Sequence, residues 1–394
     1  MSEFVVWYDS TETGAPTLNN ANGSMISVLD ACLVTGFNNK AITSLVVAGG
    51  VATATCAGHG YSIVYGKDVL IEGATPTALN GRKELTFVDA NTFRFATSAA
   101  SGTATGTITA KRAPLGWVKQ FSGVNKAMYK RSDVTASGAL LRIEDIGADG
   151  GVNAIAFSVE GATDVDTFDR RVPLATQLAL GYRWSKGTAN ATAKQWTLIG
   201  DNKLLYLVTQ SAAVTHPFSS LNDYTSGIYC FGDFESHKPG DAYNCFLSGE
   251  TSNSGGGGTG FSAQQIGGGT SLSISNTFSI TLQRGFSQLG DPVSTALFGL
   301  SRTPSGGTGQ FVFPSPVNSG YLLNPKSLFL ETVPGGIDAR GYVPGYVEVL
   351  GQNCINHHEI LPAVVDLPGR KVIGLRVYAQ GPGRVAFDIT GPWR

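Results

Sequence analysis

The chain has 394 residues, a formal net charge of −1, and 14% charged against 42% hydrophobic and 10% aromatic residues. That balance excludes a disordered chain, which would be charge-rich and aromatic-poor, and leaves no basic footprint for nucleic acid. No apolar run reaches the roughly 18 residues a membrane helix needs, and the 51 glycines, roughly twice the average share, favour a turn-rich β protein of about two or three domains.

In chain order, "EFVVWY" reads as a first strand. The start "MSEFVVWYDS" has no basic stretch followed by an apolar one, so no secretory leader is expected. "GSMISVLDACLVTGF" (23–37) is the clearest helix. Met25, Ile26, Leu29, Cys32 and Leu33 make one stripe of 3.6-residue period. Ser24 is the expected N-cap and Gly36 the expected stop.

From 41 to 112 the period changes to two. "ITSLVVAGGVATATCA" is a pair of alternating runs joined by Gly49–Gly50, a two-residue hairpin signal. "KDVLIEG", "LNGRKELTFV" with its Asn80–Gly81 turn, "DANTFRFA" and "GTATGTITAKR" follow. Six short strands are expected, forming a small all-β barrel or sandwich inserted into a loop of a host domain. The host is then 1–40 plus 113–250, with antiparallel strands such as "ALLRIEDIG" and "KQWTLIGDNKLLYLVTQ" and a short helix over "PLATQLALGYRW" (173–184). After the glycine-rich "TSNSGGGGTG", residues 251–394 read as a C-terminal β domain. The fold class expected is mainly β, with antiparallel sandwich or barrel domains, one N-terminal helix and the inserted module.

Few groups carry a chemical signal. "NCINHHEILP" brings together Cys354, His357, His358 and Glu359, but the histidines are adjacent rather than one helical turn apart as in HExxH. In a strand they would face opposite ways; only a turn could bring them together. His59, His216 and His237 are isolated, so no metal site is expected, and the stretch reads as a polar turn leading into a strand "EILPAVVDL". "GDFESHKPGDAY" offers Asp233, Glu235, His237 and Asp241 for a carboxylate pair or cation loop, without an EF-hand frame. A solvated loop is the simpler reading. Trp117, Trp184, Trp196 and Trp393 could form a sugar platform, although buried core positions suit Trp better. The glycine-rich stretches lack a phosphate-loop lysine, and there is no GxSxG elbow. Cys32, Cys56, Cys230, Cys245 and Cys354 are odd in number without a CxxC pair, which favours free thiols. Cys230 and Cys245 could approach across a hairpin, but a bond between them is not expected.

Several stretches, "SMISVLDACLVTGFNNKAITSLVVAGGVATATCAGHGYS", "VLIEGATPTALNGRKELTFVDANTFRFA", "GWVKQFSGVNKAMYKRSD", "KQWTLIGDNKLLYLV", "CFGDFESHKPGDAYNC" and the ending "FDITGPWR", are spread along nearly the whole chain. In them the chain resembles a family of tailed-bacteriophage virion proteins of the tail or baseplate. The resemblance implies a structural role in the virion, with assembly in the host cytoplasm, and brings no catalytic residue and no cofactor. The expected partners are other tail or baseplate proteins and further copies of the chain in a ring or trimer, with no nucleic acid and no membrane insertion. Trp393, Arg394, His357 and His358 are the candidate interface residues. The alternatives are a module binding host-surface glycan and a polysaccharide-degrading tail enzyme.

Overall fold

The computed structural model describes residues 4–186, 191–210, 226–251, 278–298, 323–324, 328–333, 336–349, 355–362, 367–376 and 384–394. The fold is mainly β, with antiparallel sheets and one helix near the N-terminus. Both glycine-rich stretches, Cys354 and His216 lie outside the described residues.

The helix runs as α-helix over Ser24–Leu29 and continues as wider π turns over Asp30–Thr35. All five residues of the apolar stripe are buried. Gly36 ends the helix at φ 72, where a Cβ would collide with the carbonyl oxygen of Arg112. The start differs from expectation. Gly23, at φ 82, takes the N-cap position, and the Ser24 hydroxyl donates to Asn19 O at 2.6 Å. The Met25 N–H is instead received by Asp145 Oδ2 at 2.9 Å, from the strand Leu140–Ala148. A buried carboxylate held by Lys186 displaces the local hydroxyl from the capping role.

Between residues 37 and 112 nine strands form two antiparallel sheets, where the sequence suggests six. One has the order Phe37–Ala41, Thr109–Arg112, Val69–Glu72, Gly81–Lys83. The other runs Phe87–Val88, Thr92–Ala96, Val51–Thr55, Ser44–Ala48, Gly102–Thr103. Gly49 and Gly50, at φ 57 and 78, close the expected hairpin, with Ala48 opposite Val51. Alternate residues, among them Leu45, Val47, Ala52, Ala54, Phe93 and Phe95, fill an apolar cluster that contains only residues 42–110. The strands Phe37–Ala41 and Thr109–Arg112 are paired, so the chain leaves for this sandwich and returns from it side by side.

Sixteen described strands form the large sheet, which curls into a half-barrel. Its spine passes from the hairpin Val118–Gly123/Lys126–Lys130 through Leu140–Ala148, Asn153–Ala162, Tyr182–Ser185 and Cys245–Glu250 to Phe278–Leu282 and beyond. A branch carries Ser226–Asp233, Leu204–Gln210, Trp196–Gly200 and the first strand Val6–Asp9. Strands on both sides of residue 251 therefore belong to one hydrogen-bonded sheet. The expected helix over 173–184 is a correction. After Pro173 a single turn forms, in which Leu174 O receives Gln177 N and Leu178 N, and Tyr182–Ser185 is a strand. Tyr182 and Trp184 alternate into the core, where their polar tips meet Thr281 Oγ1 and Ser248 O. Packing overrides the helical composition of the stretch.

Among the described residues the last strands form a five-stranded sheet ordered Leu323–Asn324, Tyr346–Val349, Arg384–Asp388, Val372–Arg376, Ile360–Leu361. One face puts Tyr346, Leu375 and Phe387 into the same apolar cluster as Tyr206 and Leu207 of the large sheet.

Candidate functional site

The Asn356–Glu359 stretch is a turn, as the adjacent histidines suggested. Glu359 Oε2 receives Asn356 N at 2.7 Å, and His358 stands at φ 59. That left-handed residue lets the rings of His357 and His358 stack with centroids 3.9 Å apart. The turn is seated on Gly374, where a Cβ would overlap Ile355, and His358 N–H donates to Gly374 O at 2.8 Å.

His358 points inward. Its Nε2 lies 3.0 Å from Thr197 Oγ1, and its ring is 5.5 Å from that of Trp7. Thr197 is the register partner of Asp9. At Asp9 three remote parts of the chain converge. Lys67, on the loop of the inserted sandwich, places its Nζ 2.7 Å from Asp9 Oδ2, 3.1 Å from Glu12 Oε1 and 3.8 Å from the centroid of the Trp7 ring. Arg112, on the returning strand, pairs through Nε with Glu12 Oε2 at 2.7 Å and donates through Nη2 to Trp7 O at 2.9 Å. Burial pushes the Asp9 carboxyl up, but the Lys67 charge and hydrogen bond, with help from Thr11 and His358, outweigh it and hold the group below its usual range. Two carboxylates and two cations thus close on one another. The arrangement can tie the first strand, the inserted module and the C-terminal turn together. Among the described residues no group of three or more His, Cys, Asp or Glu could hold a metal ion.

Trp393 and Arg394, expected at an interface between chains, pack at one within the chain. The Trp393 ring meets Tyr206 edge-on at 5.7 Å and donates its N–H to Asp388 O at 2.9 Å. Gly345 leaves room for it, since a Cβ there would strike the indole. Arg394 Nη1 lies 3.4 Å from Asp201 Oδ2. Tyr65, beside Lys67, donates to Thr390 O at 3.1 Å and carries the Lys371 ammonium 4.0 Å over its ring. The inserted loop and the C-terminal segment are therefore in direct contact.

The other candidates disperse. Asp233 is buried against Arg131 at 2.7 Å, and Asp241 against Arg340 at 2.7 Å. Glu235 is exposed, and the His237 ring rests edge-on against Tyr342 at 4.7 Å. Each buried acid of the loop thus has its own arginine. Cys245 is the register partner of Asp233, three positions along the ladder from Cys230, so the two thiols point to opposite faces. Cys32, Cys56, Cys230 and Cys245 are all free. Burial pushes the Cys245 thiol up to about 11, although Arg131 nearby opposes it. All five tryptophans are buried, and each indole N–H donates to a backbone carbonyl. No aromatic platform can be built from them in this fold.

Sequence reasoning missed the residues at the convergence. Only the local Asp9 turn, in which Oδ1 receives Thr11 N at 2.9 Å, leaves a mark in "YDSTE". The cations that complete it lie 58 and 100 residues away. Comparison of the chain with protein-family models and with curated proteins gives no match.

Proposed function

We propose that the protein is a structural component of a bacteriophage virion, of the tail or baseplate. In this reading it works through contacts between copies of itself, in a ring or trimer, and with other virion proteins. The observation that carries the reading is the outer face of the inserted five-stranded sheet. Across neighbouring strands it presents Val46, Ala48, Val51, Thr53, Thr55, Thr92 and Ala96, with Arg94 as the lone charge, lying 4.7 Å over the exposed Phe87 ring. Depletion of charge is the compositional mark of an interface core. The paired strands at its base suit a module carried outward from a host domain. The resemblance to tail and baseplate proteins points the same way. The buried tryptophans weigh against the glycan platform, and the buried acids of the acidic loop, each taken up by its own arginine, give no support to a glycosidase pair.

The test is to delete the gene from a phage carrying it and to image the particles, with mass spectrometry of purified virions. The protein is expected in wild-type particles, and its loss is expected to leave tails incomplete or non-infectious. Complete, infectious tails without it would overturn the reading. Val46→Asp with Val51→Asp should reproduce the assembly defect in a folded chain.

A further inference from the structure

A cleft of about 470 Å³ opens between the loop preceding the helix and the tip of the hairpin Val118–Gly123/Lys126–Lys130. Of the contacts described so far, the Ser24 hydroxyl on Asn19 O joins two residues that line it. Asn19, Asn22 and Asn125 line it, with Lys119 and Lys126 at its sides and Ile26 among its walls.

Two of the amides are seated where the chain has left a side chain out. Asn125 Oδ1 stands 2.9 Å from the place a Cβ on Gly23 would occupy, and Asn22 Oδ1 stands 2.9 Å from that of Gly147. Both glycines are in the left-handed region, at φ 82 and 84. The backbone of Asn125 is fixed as well. It sits at φ 53 in the hairpin turn, and its carbonyl receives Asp145 N at 2.8 Å. Neither amide is hydrogen-bonded to another described residue. Asn19 uses its Oδ1 on Ala21 N at 2.9 Å, which leaves its two N–H donors.

The charge of the cleft is already balanced. Lys119 is paired with Asp30 and Lys126 with Asp166, each at 2.8 Å, by carboxylates that do not line the cleft. An anionic ligand would want an uncompensated cation, and a hard metal ion would want carboxylate oxygens facing inward. An apolar ligand would want apolar walls. What remains is a set of carboxamides, each offering N–H donors beside a carbonyl acceptor. A pair of neighbouring hydroxyls, which both donate and accept, meets that demand. The geometry points to a neutral saccharide bound between Asn22 and Asn125. The volume falls in the range of small-molecule sites, roughly 300–1,000 Å³.

The experiment uses the full chain. A glycan array is followed by calorimetry with maltotriose, cellotriose, chitotriose and, as the anionic comparison, trigalacturonate. Saturable binding of a neutral glycan is expected, weakened about tenfold by Asn125→Ala or Asn22→Ala, since a lost hydrogen bond of up to about 1.4 kcal/mol is tenfold in affinity. Asn22→Ala should keep the wild-type melting curve, and Asn125→Gly, which suits the left-handed backbone at φ 53, should keep it too while weakening binding as Asn125→Ala does. A free sugar and a surface polysaccharide share this chemistry. Preference for the polymer over its trisaccharide assigns an extended chain, and equal affinity assigns a free sugar. Absence of binding to every neutral glycan, binding of trigalacturonate alone, or binding unchanged in the Asn22→Ala/Asn125→Ala double variant would overturn the proposal. None of these outcomes bears on whether the protein assembles into tails.

Discussion

Replacing Lys67 by Met tests whether the convergence at Asp9 is a lock. Methionine keeps the length and apolar volume of the stem and removes only the charge. Lys67 is buried, with its ammonium against Asp9, Glu12 and the Trp7 ring. Glu12 keeps Arg112, but Asp9 loses the ion-pair partner it has among the described residues. Leaving a buried charge uncompensated costs about 3–5 kcal/mol, and the retained Glu12–Arg112 pair places this change near the lower end. Urea unfolding followed by tryptophan fluorescence reads it, because Trp7 is part of the site. The pH dependence gives a second check. In the wild type the Asp9 carboxyl is held low. Its contribution is therefore present above the unfolded value of about 3.9 and is lost as pH falls through the lower folded value. Without Lys67, burial is the dominant influence and raises the folded value. The charge then costs stability above that raised value, and the cost disappears as pH falls toward about 4. The gap between the two proteins should thus be widest near neutrality and narrow as the solution is acidified. A gap below about 1 kcal/mol at pH 7, less than a broken buried pair should cost, or one that widens on acidification, would refute the reasoning.

Trp393→Ala should cost about 3–5 kcal/mol by denaturant titration. Gly345→Ala should be clearly destabilising too, since its Cβ meets the same ring, whereas Val134→Ala on the exposed 132–137 loop should stay within about 0.5 kcal/mol. Burial raises the thiols of Cys32, Cys230 and Cys245, so at pH 8 a maleimide should label these three only on unfolding. Rapid native-state labelling mapped to any of them by mass spectrometry would contradict their placement. Residues 37–112 expressed alone should fold cooperatively around their own core. The remainder, with 41–112 replaced by a short turn, should be destabilised by the loss of Lys67 and Arg112 and partly rescued by Asp9→Asn with Glu12→Gln, as read by thermal melts.

Much of the fold was legible because its signals are local. The helix stripe from Met25 to Leu33 and the Gly49–Gly50 hairpin depend on spacing of a few residues, and both stand where the pattern puts them. The failures occur where a distant partner decides. Ser24 has the chemistry of a cap, yet Asp145, 120 residues beyond Met25, takes that place. "ALLRIED" alternates apolar and charged residues as a half-exposed strand would, yet Arg142 is buried. Its guanidinium reaches Glu144 at 2.6 Å, Asp166 at 2.7 Å and Val165 O at 2.7 Å, and it lies 4.9 Å over the Phe157 ring. The polar face is covered by a loop that the period of the strand cannot reveal. The candidate site followed the same rule. Two adjacent histidines implied a turn, and a turn is present, but its docking onto Thr197 and Trp7 is a long-range fact.

The scarcity of charge takes on a sharper meaning once the pairs are placed. A chain with 14% charged residues could spend them all on solubility. Here Lys67, Arg112, Arg131, Arg142, Lys186 and Arg340 are buried, each with a carboxylate partner. Buried pairs of this kind add little net stability over apolar packing, so stability is a poor reason for keeping six of them. Several join segments far apart in the chain, Arg112 with Glu12 and Arg131 with Asp233 among them. A mispaired arrangement would strand a buried charge, which costs far more than the correct pair gains. The charges drawn inside therefore specify which strands meet, and their removal leaves the surface poorer in charge than the composition implies.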